Sequence, residues 1–192
     1  SVASRGLGDV YKRQDQARNM VGLNAHKQIV NRLLEPFGHI SVVVTATEWD
    51  NFFDLRCHPD ADPTMRALAE AMRDAIAASD AVSLNQWHLP YVSQKERWEA
   101  GVFHSVPYDA DEQFSHLAMI SAARCARVSY LNHDGSSPDI EKDLTLAKRL
   151  LESKHMSPFE HQAKVGADRL CGHLWGNFTG WDQHRKMIED ML

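Results

Sequence analysis

The chain has 192 residues, with 26 acidic and 21 basic side chains and a formal net charge of −5 at pH 7. This length suits one domain with a sizeable core, whereas two independent domains would be cramped. The acidic balance argues against a general nucleic-acid or membrane-surface binder, because such proteins usually carry a basic face.

Cysteine usage and hydropathy narrow the class of protein further. Cys57, Cys125 and Cys171 have no paired spacing, so neither a disulfide framework nor a zinc knuckle is indicated. No apolar run reaches the length of a membrane span, and no signal-peptide pattern occurs. We therefore expect a cytoplasmic protein without a membrane partner.

The first fourteen residues, SVASRGLGDVYKRQ, are typical of translated adapter sequence. We interpret residues 1–14 as a non-native leader and residues 15–192 as the domain. The first native helix is expected to start with Asn24 as N-cap and to run to Glu35, where Pro36 ends it.

The next segment, Ile40 to Ala46, is rich in β-branched residues and predicts a buried strand. Thr47 and Asp50 resemble a capping box for a short helix that ends near Arg56. Arg32 and Arg56 thus bracket a helix, a strand and a second helix. Two arginines positioned by such rigid elements suggest an anion site.

The remainder of the chain is mainly helical by pattern. Asp62 and Pro63 start a helix whose Met65, Leu68, Met72 and Ile76 predict core packing. Residues 79 to 113 show no regular hydrophobic pattern, which predicts a long irregular excursion of the chain. Further helices are expected over 115–127, from Ser137 and Pro138 onward, and over 181–192. The predicted fold class is α+β, a β-sheet flanked by helices in a single domain.

Three separated motifs carry a family resemblance: NRLLEPFGHISVVVTATEWDNFFDLR, SAARCARVSY and HMSPFEH. Together they closely resemble the flavin-dependent thymidylate synthases over Asp15 to Lys186. The arginine segment precedes the other two motifs, an order that resembles the permuted branch of the family. The family's His-Arg-x-x-Ser-x-Asn-x-x-Ser-x-Arg signature is expected upstream of Asp15, and residues 1–14 do not match it. The chain is therefore expected to be an N-terminally truncated copy.

The resemblance implies reductive methylation of dUMP to dTMP. Methylenetetrahydrofolate would supply the carbon, FAD would be the cofactor and NADPH the reductant. It also implies a homotetramer whose active sites are shared between subunits, so that the truncated chain alone is expected to be inactive.

The resemblance assigns two arginines to the nucleotide. Methylation at C5 of uracil needs negative charge to be stabilised at the N3 and O4 edge, and a permanently charged, planar guanidinium suits that task. Arg56 matches the arginine that family members place against the pyrimidine, and is the expected catalytic residue. Arg32 matches the arginine that binds the nucleotide.

Five further residues are carried over as contacts to FAD or folate. Asn51 matches a flavin-contacting asparagine, and Ser157 and Glu160 match the flavin-binding loop. His155 is a candidate for flavin or folate, and Ser129 matches a residue near the flavin. Ser157 and Glu160 are also expected to cap a helix start that favours an anion. Thr45 and Thr47 stand where typical members carry flavin-contacting Asn and Arg, so those two contacts do not carry over.

Other chemistries find less support in the sequence. No HxxxH or HExxH pair occurs among the 11 histidines, so no metal site is predicted. Cys57 is not assigned as a nucleophile, because the family resembled does not use one. Two alternatives stay open: a non-catalytic paralogue that binds nucleotide or flavin, and a helical interaction module.

Overall fold

The computed structural model describes residues 2–82, 86–97, 110–132, 135–166 and 172–189. The chain separates into two compact units, Ser1–Val42 and Val43–Leu192. Helices and a small antiparallel sheet make it an α+β protein, which confirms the predicted fold class at this level.

The first unit is helical. It contains α1 (Val2–Gly22), α2 (Lys27–Arg32) and a 3-10 turn (Glu35–Phe37). Helix α1 thus runs through the residues interpreted above as a leader. Asn24 is not the N-cap that we expected, because its φ of 58° is left-handed, a conformation that Asn tolerates well after a helix end. His26 takes that place, and its Nδ1 accepts the Gln28 amide at 3.3 Å.

The described part of the second unit contains five longer helices and three strands. In chain order its regular elements are α3 (Asp50–Arg56), α4 (Pro63–Ala78), β1 (Trp87–His88), α5 (Ala110–Arg127), α6 (Ile140–Glu152), β2 (Ala163–Val165), β3 (Trp181–Gln183) and α7 (His184–Glu189). Residues 94–97 are also helical, and 3-10 turns occur at Ser157–Glu160 and Gly172–Leu174.

The sheet has the order β1-β2-β3, and both pairings are antiparallel. His88 pairs with Ala163, and Ala163 pairs in turn with Gln183. The β-hydrogen bonding continues into α7, whose first amide at His184 donates to the Gln162 carbonyl at 2.9 Å. β1 belongs to the segment 79–113, which was predicted to be a long irregular excursion. Residues 83–85 and 98–109 of this segment lie outside the described part.

Helix α5 lies at the centre of the hydrophobic core of this unit. One of its faces buries Phe114, Leu117, Ala118 and Ile120 against Leu89 and Val92, and Trp87, Leu144 and Met187 pack at the edges. The predicted 115–127 helix is confirmed and begins earlier, at Ala110. Fully burying such side chains contributes about 1.5–3 kcal/mol each, so α5 supplies much of the apolar stabilisation.

Arg124 of α5 is fully buried in an ion-pair cluster. Its Nε donates to Asp143 of α6 at 2.8 Å, and one terminal nitrogen donates to Glu96 at 2.7 Å. The other terminal nitrogen donates to the Tyr91 carbonyl at 2.7 Å. Arg127 lies 2.7 Å from the second Asp143 oxygen, near enough for an ion pair but misaligned for a hydrogen bond. Burial alone would raise the pKa of Glu96, but hydrogen bonds from Arg124 and Ser93 lower it to about 2.

Helix starts were predicted with mixed success. Asp62 caps α4 as expected and accepts the amides of Thr64 and Met65 at 3.1 and 2.9 Å. The cap of α6 is Asp139 rather than Ser137, two residues later than predicted. The predicted final helix starts late, because residues 181–183 join the sheet and only His184–Glu189 are helical; residues 190–192 lie outside the described part.

Three other predictions were wrong. Residues 40–46 do not form a strand, and Ile40, Val42 and Val44 are mostly exposed. The apolar stripe of α4 is not core, because Ala69 is its only buried residue while Met65, Leu68 and Ile76 are exposed. Thr47 does not cap α3, whose N-cap Trp49 makes no side-chain capping bond. In each case the local pattern was present, but within the described residues its side chains are not packed or bonded as the pattern implied.

Removing the Asp143 carboxylate should destabilise the protein strongly. Asp143→Ala leaves two buried guanidinium groups without their shared partner, and we expect the free energy of unfolding to fall by about 3–5 kcal/mol. The matched control is Asp139→Ala on the same helix, which loses only an exposed cap and should cost about 1 kcal/mol. Denaturant unfolding of both variants tests this. Equal losses would contradict the buried ion pair.

His184 should make stability fall in mild acid. Burial between Phe114 and Phe159 lowers the pKa of His184 to about 4 from 6.5, and its Nδ1 has no hydrogen-bond partner among the described residues. The unfolded chain therefore binds the proton first, and stability is lost as the pH falls from about 6.5 to about 4. The loss should total about 3 kcal/mol.

This pH dependence is measured by urea unfolding at several pH values between 7 and 4. The variants His184→Phe and His184→Gln should lose that component, because neither side chain titrates in this range. The same slope in the wild type and in both variants would contradict the assignment.

Candidate functional site

An open cavity of about 390 Å³ lies in the second unit. This volume is in the range of small-molecule sites. The walls are mostly apolar and aromatic, with three polar side chains, and none of the lining residues is charged. The lining consists of Val44, Thr45, Ala46, Thr47, Trp49, Ile76, His88, Phe178 and Trp181.

One wall is the 44–49 stretch, held by the turn around Asn177. The Thr47 amide donates to the Asn177 carbonyl at 3.1 Å, and the Asn177 side chain donates to the Thr45 carbonyl. The Thr179 amide donates to the Thr47 hydroxyl at 2.8 Å. These bonds explain why Thr47 does not cap α3 and why this stretch does not join the sheet, since its polar groups are directed to the turn.

Two histidines connect this wall to the sheet. Nδ1 of His161 lies 3.0 Å from the Thr45 hydroxyl, and Nδ1 of His88 lies 3.0 Å from the carbonyl oxygen of His161. Burial lowers the pKa of His88, as does the charge of Arg97, while the bond to His161 opposes them. Burial also lowers the pKa of His161, with Glu160 opposing it. Both rings are therefore mainly neutral at pH 7.

Aromatic rings shape the cavity. Trp49 stacks on Phe53 with ring centres 5.9 Å apart, and its indole nitrogen donates to the Ala46 carbonyl at 3.1 Å. Phe178 is buried, and its ring centre lies 5.4 Å from that of His88. These contacts fix the rings, so the cavity has a largely preformed apolar surface.

The predicted nucleotide residues do not line the cavity. Arg56 is exposed at the last turn of α3, and Asn51 is exposed on its first turn. Arg32 is exposed at the end of α2, in the first unit, whereas Arg56 belongs to the second. Their proposed roles stay predictions.

The predicted capping roles of Ser157 and Glu160 were wrong. The turn at Ser157–Glu160 is a single 3-10 turn without a side-chain cap, too short to act as an anion-binding helix start. The Glu160 carboxylate pairs instead with Arg185, which also bonds Glu189 at 2.7 Å. His155 is exposed, and its Nδ1 lies 2.9 Å from the Ser153 hydroxyl. Their flavin contacts remain untested.

Ser129 follows the end of α5 and shapes the chain there. Its hydroxyl accepts the Leu131 amide at 2.9 Å. Val128, directly before it, has a φ of 53°, which is costly for a β-branched residue. The SAARCARVSY motif therefore contains a strained turn at Val128, and a hydrogen bond to Ser129 stabilises this turn.

Sequence reasoning missed most of the cavity. His88, Phe178 and Trp181 were not singled out, because nothing in the local sequence places these distant residues beside Thr45. His161, the last residue of the HMSPFEH motif, was given no role of its own. Among the residues that the structure describes, no group of three His, Cys, Asp or Glu side chains could hold a metal ion.

In comparisons with known proteins, no family model matches the chain, and neither a curated protein nor a solved structure matches it. The family resemblance therefore rests on the three motifs and stays a prediction. Within the described ranges, no helix is both long and apolar enough to cross a membrane.

Gly176 should be essential to the cavity wall. Its φ is 56°, and a Cβ there would overlap the amide of Gln183, a buried side chain that bonds both Asn177 and the Glu160 carbonyl. Gly176→Ala should therefore destabilise the protein by more than the roughly 1 kcal/mol expected from backbone strain alone.

The matched control is Gly135→Ala. Gly135 also has a positive φ, 79°, but a Cβ there would meet no atom within 4 Å. Thermal unfolding of both variants separates strain from overlap. The overlap with Gln183 would be refuted if the two variants lost the same stability.

Proposed function

We propose that this chain is part of a FAD-dependent thymidylate synthase that methylates dUMP to dTMP with methylenetetrahydrofolate and NADPH. The fold would then be the α+β domain of that family. The proposal rests on the three motifs and on the side-chain contacts that join parts of them within the second unit.

The observation that carries the proposal is the joining of the three motifs by side-chain hydrogen bonds. Gln162, directly after SPFEH, is fully buried and donates to the Pro158 carbonyl at 3.1 Å. The same amide nitrogen lies 3.2 Å from the Ser121 hydroxyl in SAARCARVSY. His161 of SPFEH contacts Thr45 of the arginine segment, 116 positions away. Motifs that are distant in sequence therefore converge on one region, as the parts of a single site would.

The cavity fits the ring portions of the proposed ligands better than their phosphates. Its aromatic walls suit a planar ring. Its lining has no cation, so the phosphate groups of dUMP and FAD would need basic residues elsewhere, and the exposed Arg32, the predicted nucleotide-binding arginine, is the candidate from the motifs. Bound flavin would supply the hydride that completes the methyl group.

The exposed face of α4 supports assembly into the proposed homotetramer. Met65, Leu68 and Ile76 are 39%, 54% and 49% exposed although they repeat at helical spacing. Apolar stripes of this kind usually mark a surface that is covered in the functional assembly. The proposed location is the cytoplasm, in line with the cysteine usage.

One observation favours a second candidate, a paralogue that binds flavin or nucleotide without turning it over. The cavity contains none of the proposed catalytic or nucleotide-binding side chains, and Thr45 and Thr47 occupy places where the family resembled carries Asn and Arg. Ligand binding and turnover therefore have to be measured separately.

In the intact enzyme of which this chain is proposed to be part, Arg56→Ala should abolish dTMP formation while leaving FAD bound. The expected loss is at least about a hundredfold in the rate of tritium release from [5-³H]dUMP, because the variant lacks the cation that stabilises the developing charge. Flavin fluorescence measures FAD affinity in the same samples. The matched control is Arg73→Ala, an exposed arginine of α4 paired only with Asp74.

Three outcomes are informative. Unchanged turnover in Arg56→Ala would refute the role of that residue. FAD or dUMP binding by the intact wild-type protein without turnover would favour the non-catalytic paralogue. An intact protein that binds neither ligand and forms no tetramer would refute the proposed function and favour the helical interaction module.

A further inference from the structure

The hydrogen bond between His88 and His161 fixes which nitrogen of His88 carries its proton. A carbonyl oxygen can only accept, so Nδ1 of His88 must be the donor in the 3.0 Å contact. A neutral imidazole with its proton on Nδ1 leaves Nε2 as an acceptor. Within the described part of the chain, no hydrogen-bond partner of this Nε2 is seen. Because His88 lines the cavity and its Nδ1 is already bonded, Nε2 is the ring nitrogen that it can offer to a ligand there.

Thr47 complements this acceptor with a donor. Its hydroxyl oxygen accepts the Thr179 amide at 2.8 Å, which leaves the hydroxyl hydrogen to be donated elsewhere. Thr47 lines the same cavity as His88. The lining thus offers one acceptor and one donor on otherwise apolar, aromatic walls.

The charge of the cavity limits its occupant. No lining residue carries a formal charge, and the two histidines at its edge are mainly neutral at pH 7. An anionic group placed there would lose hydration without gaining a cation, which is costly. A neutral, planar ligand would instead keep its hydrogen bonds and bury its apolar faces against Trp49, Phe178 and Trp181.

We propose that the cavity binds an uncharged planar heterocycle with a ring N–H beside a carbonyl group, and that Nε2 of His88 accepts the ring N–H. Pyrimidine, flavin and pterin rings share this chemistry. The choice among these three sources rests on the proposed function, whereas the ring chemistry rests on the cavity alone.

The test is calorimetric titration of the full chain with three neutral probes, uridine, riboflavin and pterin. Each probe is compared with its analogue methylated on the ring nitrogen next to the carbonyl groups. The preferred ring identifies the source. Its N-methyl analogue should bind about tenfold more weakly, because it cannot donate to His88 and leaves a buried acceptor unpaired.

Variants of His88 test whether this residue causes the preference for the N–H probe. His88→Phe keeps an aromatic ring but removes the acceptor, so the probe and its N-methyl analogue should bind this variant with similar affinity. His88→Gln keeps an acceptor and should retain part of the preference. His39→Phe is the matched control, because His39 is exposed in the first unit, and it should behave as the wild type does. Circular dichroism establishes that each variant is folded.

The outcomes separate this proposal from the proposed function. Equal binding of probe and N-methyl analogue by the wild type, or no binding of any probe, would overturn the assignment of the cavity. A preference for the N–H probe over its N-methyl analogue that His88→Phe leaves unchanged would also overturn it, while leaving the thymidylate synthase proposal intact. An N–H preference that depends on His88, in a protein without dUMP turnover, would support the cavity assignment and count against the proposed function.

Discussion

The second unit depends on one buried ion pair. Arg124 and Asp143 are both almost fully shielded from water, and they join the central helix α5 to α6. Arg124 also bonds the Tyr91 carbonyl and Glu96, so it fixes the stretch that follows β1. Buried charges are tolerated only when every partner is in place. The cluster therefore selects one arrangement of these three segments.

That arrangement sets the position of the candidate site. β1 leads directly into the stretch held by Arg124, and it presents His88 beside the strand that follows SPFEH. Gln162 joins the same strand to α5 through Ser121. The cavity wall is thus connected to the core by hydrogen bonds over short distances. We infer that the stability of the core and the geometry of the site are coupled.

The cavity and the arginines divide the expected tasks of a nucleotide enzyme. The cavity is neutral and aromatic, suited to a ring, while the charged candidates Arg32 and Arg56 are exposed on helix ends. A shared site in an oligomer would bring such groups together from different subunits. This is the arrangement that the resemblance implies, and the exposed apolar face of α4 is a surface that could support it.

The sequence by itself determined the local elements whose signals are local. Asp62 and Pro63 start α4 because a capping carboxylate and a fixed φ act within one turn. The sequence also revealed the three motifs, because a motif is a local string of residues that can be recognised without the fold. The α+β class was predicted correctly, although the strand expected at 40–46 did not form and the strands that the structure describes lie elsewhere.

Only the tertiary structure decided which patterns are buried and which distant residues meet. Within the described residues the β-branched run at 40–46 pairs with no strand, and a strand needs a partner for its backbone hydrogen bonds, so its strand propensity is not expressed. The proton position on His88 depends on a carbonyl 73 positions away, and the contact of Thr45 with His161 spans 116. Such contacts leave no periodicity in the sequence, because they are set by how the helices and strands pack.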